Sequence, residues 1–242
     1  AGGRATRLKK LPCSKEILPL MVNDDNQVEV TSSFLINYYK KAGICNVYFV
    51  IREGKWDIPA YYRDGSDVDV NIGYLIMDKP YGAPFTIDQA YPFVKNSFVA
   101  LGFPDILLQP ENVFATLKDK IMQTGADIVL GIFPVENYKK WDLIEFNQLG
   151  KIASIQIKKN RPDLSYAWAI AVWSPAFTEF LHKQLINYAK EFENNNDRNE
   201  LYIGNIIQDA MRCDMNVDYV IFEGGKAIDT GTPEDLKKYL SC

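Results

Sequence analysis

Apolar positions recur at helical spacing in SSFLINYYKKAG, where Leu35, Ile36 and Tyr39 share one face. Ser32 or Ser33 can cap that helix, Lys40 and Lys41 suit its C-terminal end, and Gly43 is a stop. The pattern then changes to NVYFVI, a β-branched and aromatic run that predicts a buried strand. The same switch repeats, with FVALG predicting a strand, PENVFATLKDKIMQTG a helix and DIVLGIFPV a strand. Alternation of this kind implies a parallel sheet with helices on its faces. DLIEFNQLGKIASIQIK breaks the rhythm and predicts a hairpin turning at QLGK. SYAWAIAVWS predicts another strand, then PAFTEFLHKQLINYAKEF and NELYIGNIIQDAMRC predict helices around a polar NNNDRN loop. MNVDYVIF reads as a strand and TPEDLKKYL as a short final helix. Thr232 is the N-cap there, Pro233 opens the first turn, and Glu234 and Asp235 lie near the positive dipole end.

The 242 residues are 47% apolar, enough for a sizeable core, and no repeat or linker divides them. Residues 1–242 are therefore expected to form one α/β domain: a doubly wound, mostly parallel, Rossmann-like sheet with helices on both faces and an inserted β-hairpin. A net charge of -4 offers no global field for nucleic acid or an anionic membrane. Cys13, Cys45, Cys213 and Cys242 form no C-x-x-C pair, which argues against a disulfide framework or thiolate metal site. The lone histidine, His182, excludes histidine-rich metal sites and leaves little room for a Ser-His-Asp triad. The longest charge-free apolar run, Leu164 to Thr178, is broken by Pro175 and falls short of the roughly 18 residues of a membrane span. No signal-peptide pattern precedes it, so a soluble cytoplasmic protein is expected.

The candidate chemistry begins in the opening stretch, AGGRATRLKKLPCSKEILPL. Gly2 and Gly3 let backbone approach a ligand closely, and Arg7 and Lys15 add cations, a combination suited to a phosphate chain. Neither G-x-x-x-x-G-K-[ST] nor G-x-G-x-x-G after a strand is present. The residues alone thus leave open a phosphate loop or an ordinary surface turn.

AGGRATRL followed by SKEILPL resembles the signature of the sugar-phosphate nucleotidyltransferases, the family of glucose-1-phosphate thymidylyltransferase-like pyrophosphorylases. Gly2, Gly3, Thr6, Arg7 and Leu8 match its Gly-Gly-x-Gly-Thr-Arg-Leu loop, and Lys15 stands at its lysine position; Ala5 and Ser14 replace a glycine and a proline. FVALGFPDILL, WDLIEFNQLGKIASIQIK, NELYIGNIIQDAM and AIDTGTPEDL resemble further family segments in the same order. The resemblance implies that a sugar 1-phosphate attacks a nucleoside triphosphate, dTTP or UTP by preference, and releases pyrophosphate. It implies Arg7 and Lys15 as catalytic cations, and Gly2, Gly3, Thr6, Arg7, Met77 and Gly82 around the nucleotide. It implies Lys158 on the sugar phosphate, Asp142 and Trp168 near the acceptor, and Asp105 and Asp229 as ligands of Mg²⁺. It also implies a leading strand upstream of Ala1 and a possible homo-oligomer; charge and hydropathy lead to the expectation of neither nucleic acid nor membrane as partner.

The chain departs from the family pattern at several of these positions. Met77 stands where a glutamine would face the base, and it cannot hydrogen-bond a pyrimidine edge in the same way. Asp142 replaces a glycine beside the sugar, and Ile157 an acidic residue. GKWDIPAYYRDG is unlike the family, and Gly54, Lys55, Trp56 and Asp57 read equally as a substrate mouth or as a helix start capped by Asp57. These changes keep two alternatives open. One is a cytidylyltransferase acting on phosphocholine or another non-sugar phosphate; the other is a catalytically weak nucleotide-binding regulatory protein. Every assigned residue also has a plainer reading: Arg7 as surface, Lys15 as the lead into a strand, Asp105 and Asp229 as turn formers, Lys158 as a solvated strand end.

Overall fold

The computed structural model of the chain describes residues 11–77, 81–194, 200–233 and 236–237. In chain order its strands and helices are β1 (Pro19–Val22), β2 (Val28–Val30), α1 (Thr31–Lys41), β3 (Asn46–Ile51), α2 (Asp57–Tyr62), β4 (Asn71–Ile76), α3 (Ala83–Asp88), α4 (Tyr91–Val94), β5 (Val99–Leu101), β6 (Ile106–Gln109), α5 (Val113–Thr124), β7 (Ile128–Pro134), β8 (Leu143–Phe146), β9 (Ile152–Gln156), β10 (Tyr166–Trp173), α6 (Pro175–Asn194), α7 (Ile203–Arg212), β11 (Val217–Ile221) and β12 (Lys226–Asp229).

The expected α/β architecture is what the chain forms, built on a mixed sheet. The strand order is β11-β7-β10-β8-β9, with β5 also pairing β10. β7 and β11 run parallel, whereas β10 is antiparallel to β7, β8 and β5. The β8–β9 hairpin reverses the chain before β10, so β10 enters the sheet against its neighbours. β3 and β4 form a separate parallel pair, and β12 pairs antiparallel with β6. A cavity of about 390 Å³ is lined by Val47 and Phe49 of β3, Val99 and Leu101 of β5, Leu35 of α1 and Phe114 of α5.

Alternation along β7 explains the two cores. Val129 and Phe133 face one cluster with Leu35 and Ile36 of α1 and Val113, Phe114, Leu117 and Ile121 of α5. Ile128, Leu130 and Ile132 face the other, with Phe177, Leu181 and Leu185 of α6 and Ile203, Ile206 and Ile207 of α7. Each helix contributes a stripe at three- and four-residue spacing, and the sheet is thereby covered on both faces. α5 ends where Gly125 takes φ 64°, a left-handed C-terminal stop.

Ser32 and Ser33 lie inside α1 rather than capping it: Ser32 is buried and donates to the Glu16 carbonyl at 2.6 Å. The hairpin β1–β2, the strands β4, β6 and β12, and the short helices α3 and α4 are too brief to show periodicity; GKWDIP does start a helix, α2, but Asp57 is its first residue and Trp56 takes the cap position. The expected final helix lies largely outside the described residues, within which the Leu236 amide donates to the Thr232 carbonyl at 3.0 Å.

Candidate functional site

Lys15 opens a short 3-10 turn ahead of β1. Its Nζ lies 2.5 Å from Asp105 Oδ2, and both side chains are largely buried. Burial acts to raise the Asp105 pKa, but the charge and hydrogen bond of Lys15 outweigh it and hold the carboxyl below its usual range. The loop carrying Lys15 is itself gripped from the other side. Asp57, the first residue of α2, accepts the Ser14 amide at 2.6 Å and the Ser14 hydroxyl at 2.7 Å. Desolvation acts to raise the Asp57 pKa, but the two bonds from Ser14, with the Asp57 and Ile58 amides, outweigh it and hold the carboxyl below its usual range. Beside it, Lys55 Nζ reaches Glu16 Oε1 at 2.6 Å, with Glu16 wholly buried. The GKWDIP segment therefore supplies a seat for residues 14–16, with Asp57 holding the neighbouring loop.

Asp229 ends β12 and Asp105 immediately precedes β6. The ladder sets Asp229 opposite Ile106, and the Thr230 amide and hydroxyl donate to the Asp105 carbonyl at 2.8 and 3.0 Å. Two aspartates distant in sequence thus share one strand end. Asp229 Oδ1 accepts the Gly231 amide at 2.7 Å. Among the described residues no group of three or more His, Cys, Asp or Glu side chains converges. These two hard oxygen donors fit Mg²⁺ as sites of this kind commonly hold it, by one or two carboxylates with phosphate oxygens and water completing the shell.

A second group lies along α7. Gly82 takes φ 123° and bridges in parallel to Leu201, whose carbonyl a Cβ at Gly82 would meet at 2.1 Å. Thr86 donates to Met77 Sδ at 2.9 Å and to the Gly82 carbonyl at 3.3 Å, tying these two residues together. Met77 is buried, and its amide is spent on the Ile51 carbonyl. Tyr202, next to Leu201, presents its ring 6.0 Å from Lys158 Nζ. Lys158 takes φ 47°, donates to the Lys140 carbonyl at 2.6 Å and stands 3.6 Å from Asp142 Oδ1. Burial raises the Asp142 pKa, and Lys158 offsets this only in part. Asp142 neighbours Trp168, whose ring lies 6.2 Å from Phe103, two residues before Asp105. The described candidates thus follow one arc from Met77 and Gly82 through Lys158, Asp142 and Trp168 to Asp105, Lys15 and Asp229.

Gly2, Gly3, Thr6 and Arg7 lie outside the described residues. Sequence reasoning did not find Glu16, Tyr202 or the Asp57–Ser14 grip. Each depends on a partner distant in sequence, and only the unusual GKWDIP composition marked one of them. His182 is elsewhere, its ring stacked at 3.8 Å on Tyr91 and its Nδ1 3.0 Å from both Asp88 oxygens.

The chain is 26% identical to the glucose-1-phosphate thymidylyltransferase of Neisseria meningitidis serogroup A, over all of this chain and 80% of that one. A Bacillus anthracis protein assigned as a glucose-1-phosphate thymidylyltransferase, solved with a sucrose, superposes with a TM-score of 0.83 at 18% identity, covering all of this chain and 92% of its own. UDP-glucose pyrophosphorylase complexed with UDP-glucose superposes at 0.77 with 17% identity, covering all of this chain and 95% of its own. The nucleotidyl transferase profile matches residues 1–241. The chain belongs to the nucleotidyl transferase family.

Proposed function

We propose that the chain joins a sugar 1-phosphate to a nucleoside triphosphate, dTTP or UTP by preference, forming a nucleotide-sugar and pyrophosphate in the cytoplasm. The observation that carries this reading is the meeting of Lys15 with Asp105 and of Asp105 with the Asp229 strand end. A phosphate oxygen of the sugar ester attacks the α-phosphorus in line. The bond from that phosphorus to its bridging oxygen breaks, and pyrophosphate leaves with the electron pair. The nucleophile is already an anion, so the step needs charge stabilisation and alignment more than a base. That suits an arc without histidine.

Lys15 exchanges its bond to Asp105 for the triphosphate, with Arg7, Gly2, Gly3 and Thr6 contributing from the opening loop. Met77 and Gly82 flank the base, and Lys158 receives the sugar phosphate. Mg²⁺ held by Asp105 and Asp229 would neutralise charge on the phosphates. The relatives' printed activities support the sugar acceptor and the pyrimidine nucleotide. Lys15→Ala and Asp229→Ala should abolish pyrophosphate release while thermal unfolding shows a folded protein. Full turnover by folded Asp229→Ala would remove that residue from the reaction.

A further inference from the structure

One cation beside the arc has no partner in the fold. Arg52 directly follows β3, and its Nε is buried without a hydrogen-bond partner. Among the described residues no carboxylate forms an ion pair with its guanidinium. The residue as a whole stays partly exposed, so a solute can reach it. Two backbone bonds fix its place. The Met77 amide donates to the Ile51 carbonyl at 2.8 Å, so Arg52 leaves the carboxyl edge of the parallel β3–β4 pair beside Met77. Open α/β sheets take their ligands at that edge. The Lys55 amide donates to the Arg52 carbonyl at 3.3 Å, which closes a turn over residues 52–55.

That turn brings Arg52 into the group of charges around residues 14–16. The charges of Lys15 and Arg52 both reach Lys55 and oppose its protonation. Lys55 has Glu16 at 2.6 Å and Lys15 has Asp105 at 2.5 Å, whereas Arg52 has no acid. Glu16 Oε2 is itself unpartnered, yet it does not take the guanidinium. An arginine kept for the fold would use such an oxygen, because a guanidinium donor without an acceptor forfeits the bonds it had in water. The unspent donors call for an acceptor that arrives from outside. Among three cations, that acceptor is an anion with several charges and several oxygens, which is what a polyphosphate chain offers to a planar fork of N–H groups.

Resting on the transferase reading, we propose that Arg52 binds the β- and γ-phosphates of the nucleoside triphosphate, the part that leaves as pyrophosphate. The bond to Asp105 keeps Lys15 at the end of the chain where the α-phosphorus reacts. Arg52, tied to the Lys55 turn instead, takes the terminal phosphates.

The test is calorimetry on the full chain with Mg²⁺, using dTTP and UTP with their di- and monophosphates, on wild type, Arg52→Gln and Arg52→Lys. Arg52→Gln should weaken triphosphate binding about tenfold or more, as loss of a charge-assisted contact does, and scarcely change monophosphate binding. Arg52→Lys should recover only part of the loss, since an ammonium lacks the fork. Urea unfolding of both variants should match wild type, because Arg52 gives no side-chain bond to the fold. Equal losses on tri- and monophosphate, no loss on either, or full rescue by lysine overturns the proposal. Wild type that binds nucleotide but releases no pyrophosphate with any acceptor defeats the transferase reading alone, and the calorimetry still decides on Arg52. Wild type that binds no nucleotide defeats both.

Discussion

Replacing Lys55 by methionine should cost about 3–5 kcal/mol of folding stability, the usual penalty for stripping a buried charge of its partner. The Glu16 side chain has no exposed surface and Lys55 is 8% exposed, so water cannot take over the lost bond. Glu16 Oε2 already lacks a partner, and its other oxygen depends on Lys55 at 2.6 Å. Against a typical domain stability of about 5–15 kcal/mol, such a loss is large. Burial lowers the Lys55 pKa against the opposing charge and hydrogen bond of Glu16, with Lys15 and Arg52 adding to the fall, and replacing a buried pair by well-packed apolar residues is often neutral or stabilising. The double variant Glu16→Leu/Lys55→Met should therefore be close to wild type or up to about 4 kcal/mol more stable. Urea unfolding of the wild type, both single variants and the double completes the cycle, with m-values checked for constancy. A Lys55→Met cost below about 1 kcal/mol, the range of exposed ion pairs, would refute the reasoning.

Asp57→Ala removes both bonds holding Ser14, and kcat should fall about tenfold or more through a displaced Lys15; unchanged turnover counts against the grip. Gly82→Ala drives a Cβ to 2.1 Å from the Leu201 carbonyl at a left-handed φ, so urea unfolding should register a loss of at least about 2 kcal/mol and calorimetry weaker nucleotide binding. Asp142 has a raised folded pKa, so its ionised form is penalised increasingly as pH rises through the unfolded and then the folded value. Asp142→Asn should accordingly gain stability on wild type at neutral pH and lose that gain below about pH 4, where both states of wild type are protonated. A stability difference that does not change with pH contradicts this.

Most of the long elements were legible because they carry complete periods. α5 exposes its stripe over three turns, and β7 is an unbroken apolar run. The two-faced sheet follows from such elements alternating along the chain. What escaped was set by register and distance. The register slip of β10 against β7 just after Trp168 leaves no trace in composition, since YAWAIAVW alternates no differently with or without it. Glu16 sits in a strand-leading turn where an acid looks solvated, and only its meeting with Lys55, 39 residues on, explains its burial. Ser32 has the chemistry of a cap, but the Glu16 carbonyl claims it and α1 begins at Thr31. The aspartates were readable as residue types, whereas their shared strand end depends on the β6–β12 ladder.

The most direct test of the central claim is pyrophosphate release with Mg²⁺, screening dTTP and the common nucleoside triphosphates against hexose 1-phosphates and phosphocholine. Release is expected with a pyrimidine nucleotide and a sugar 1-phosphate, and it should be lost on chelation of the metal. Measurable nucleotide binding with no release from any pair would contradict it and leave a nucleotide-binding regulatory protein.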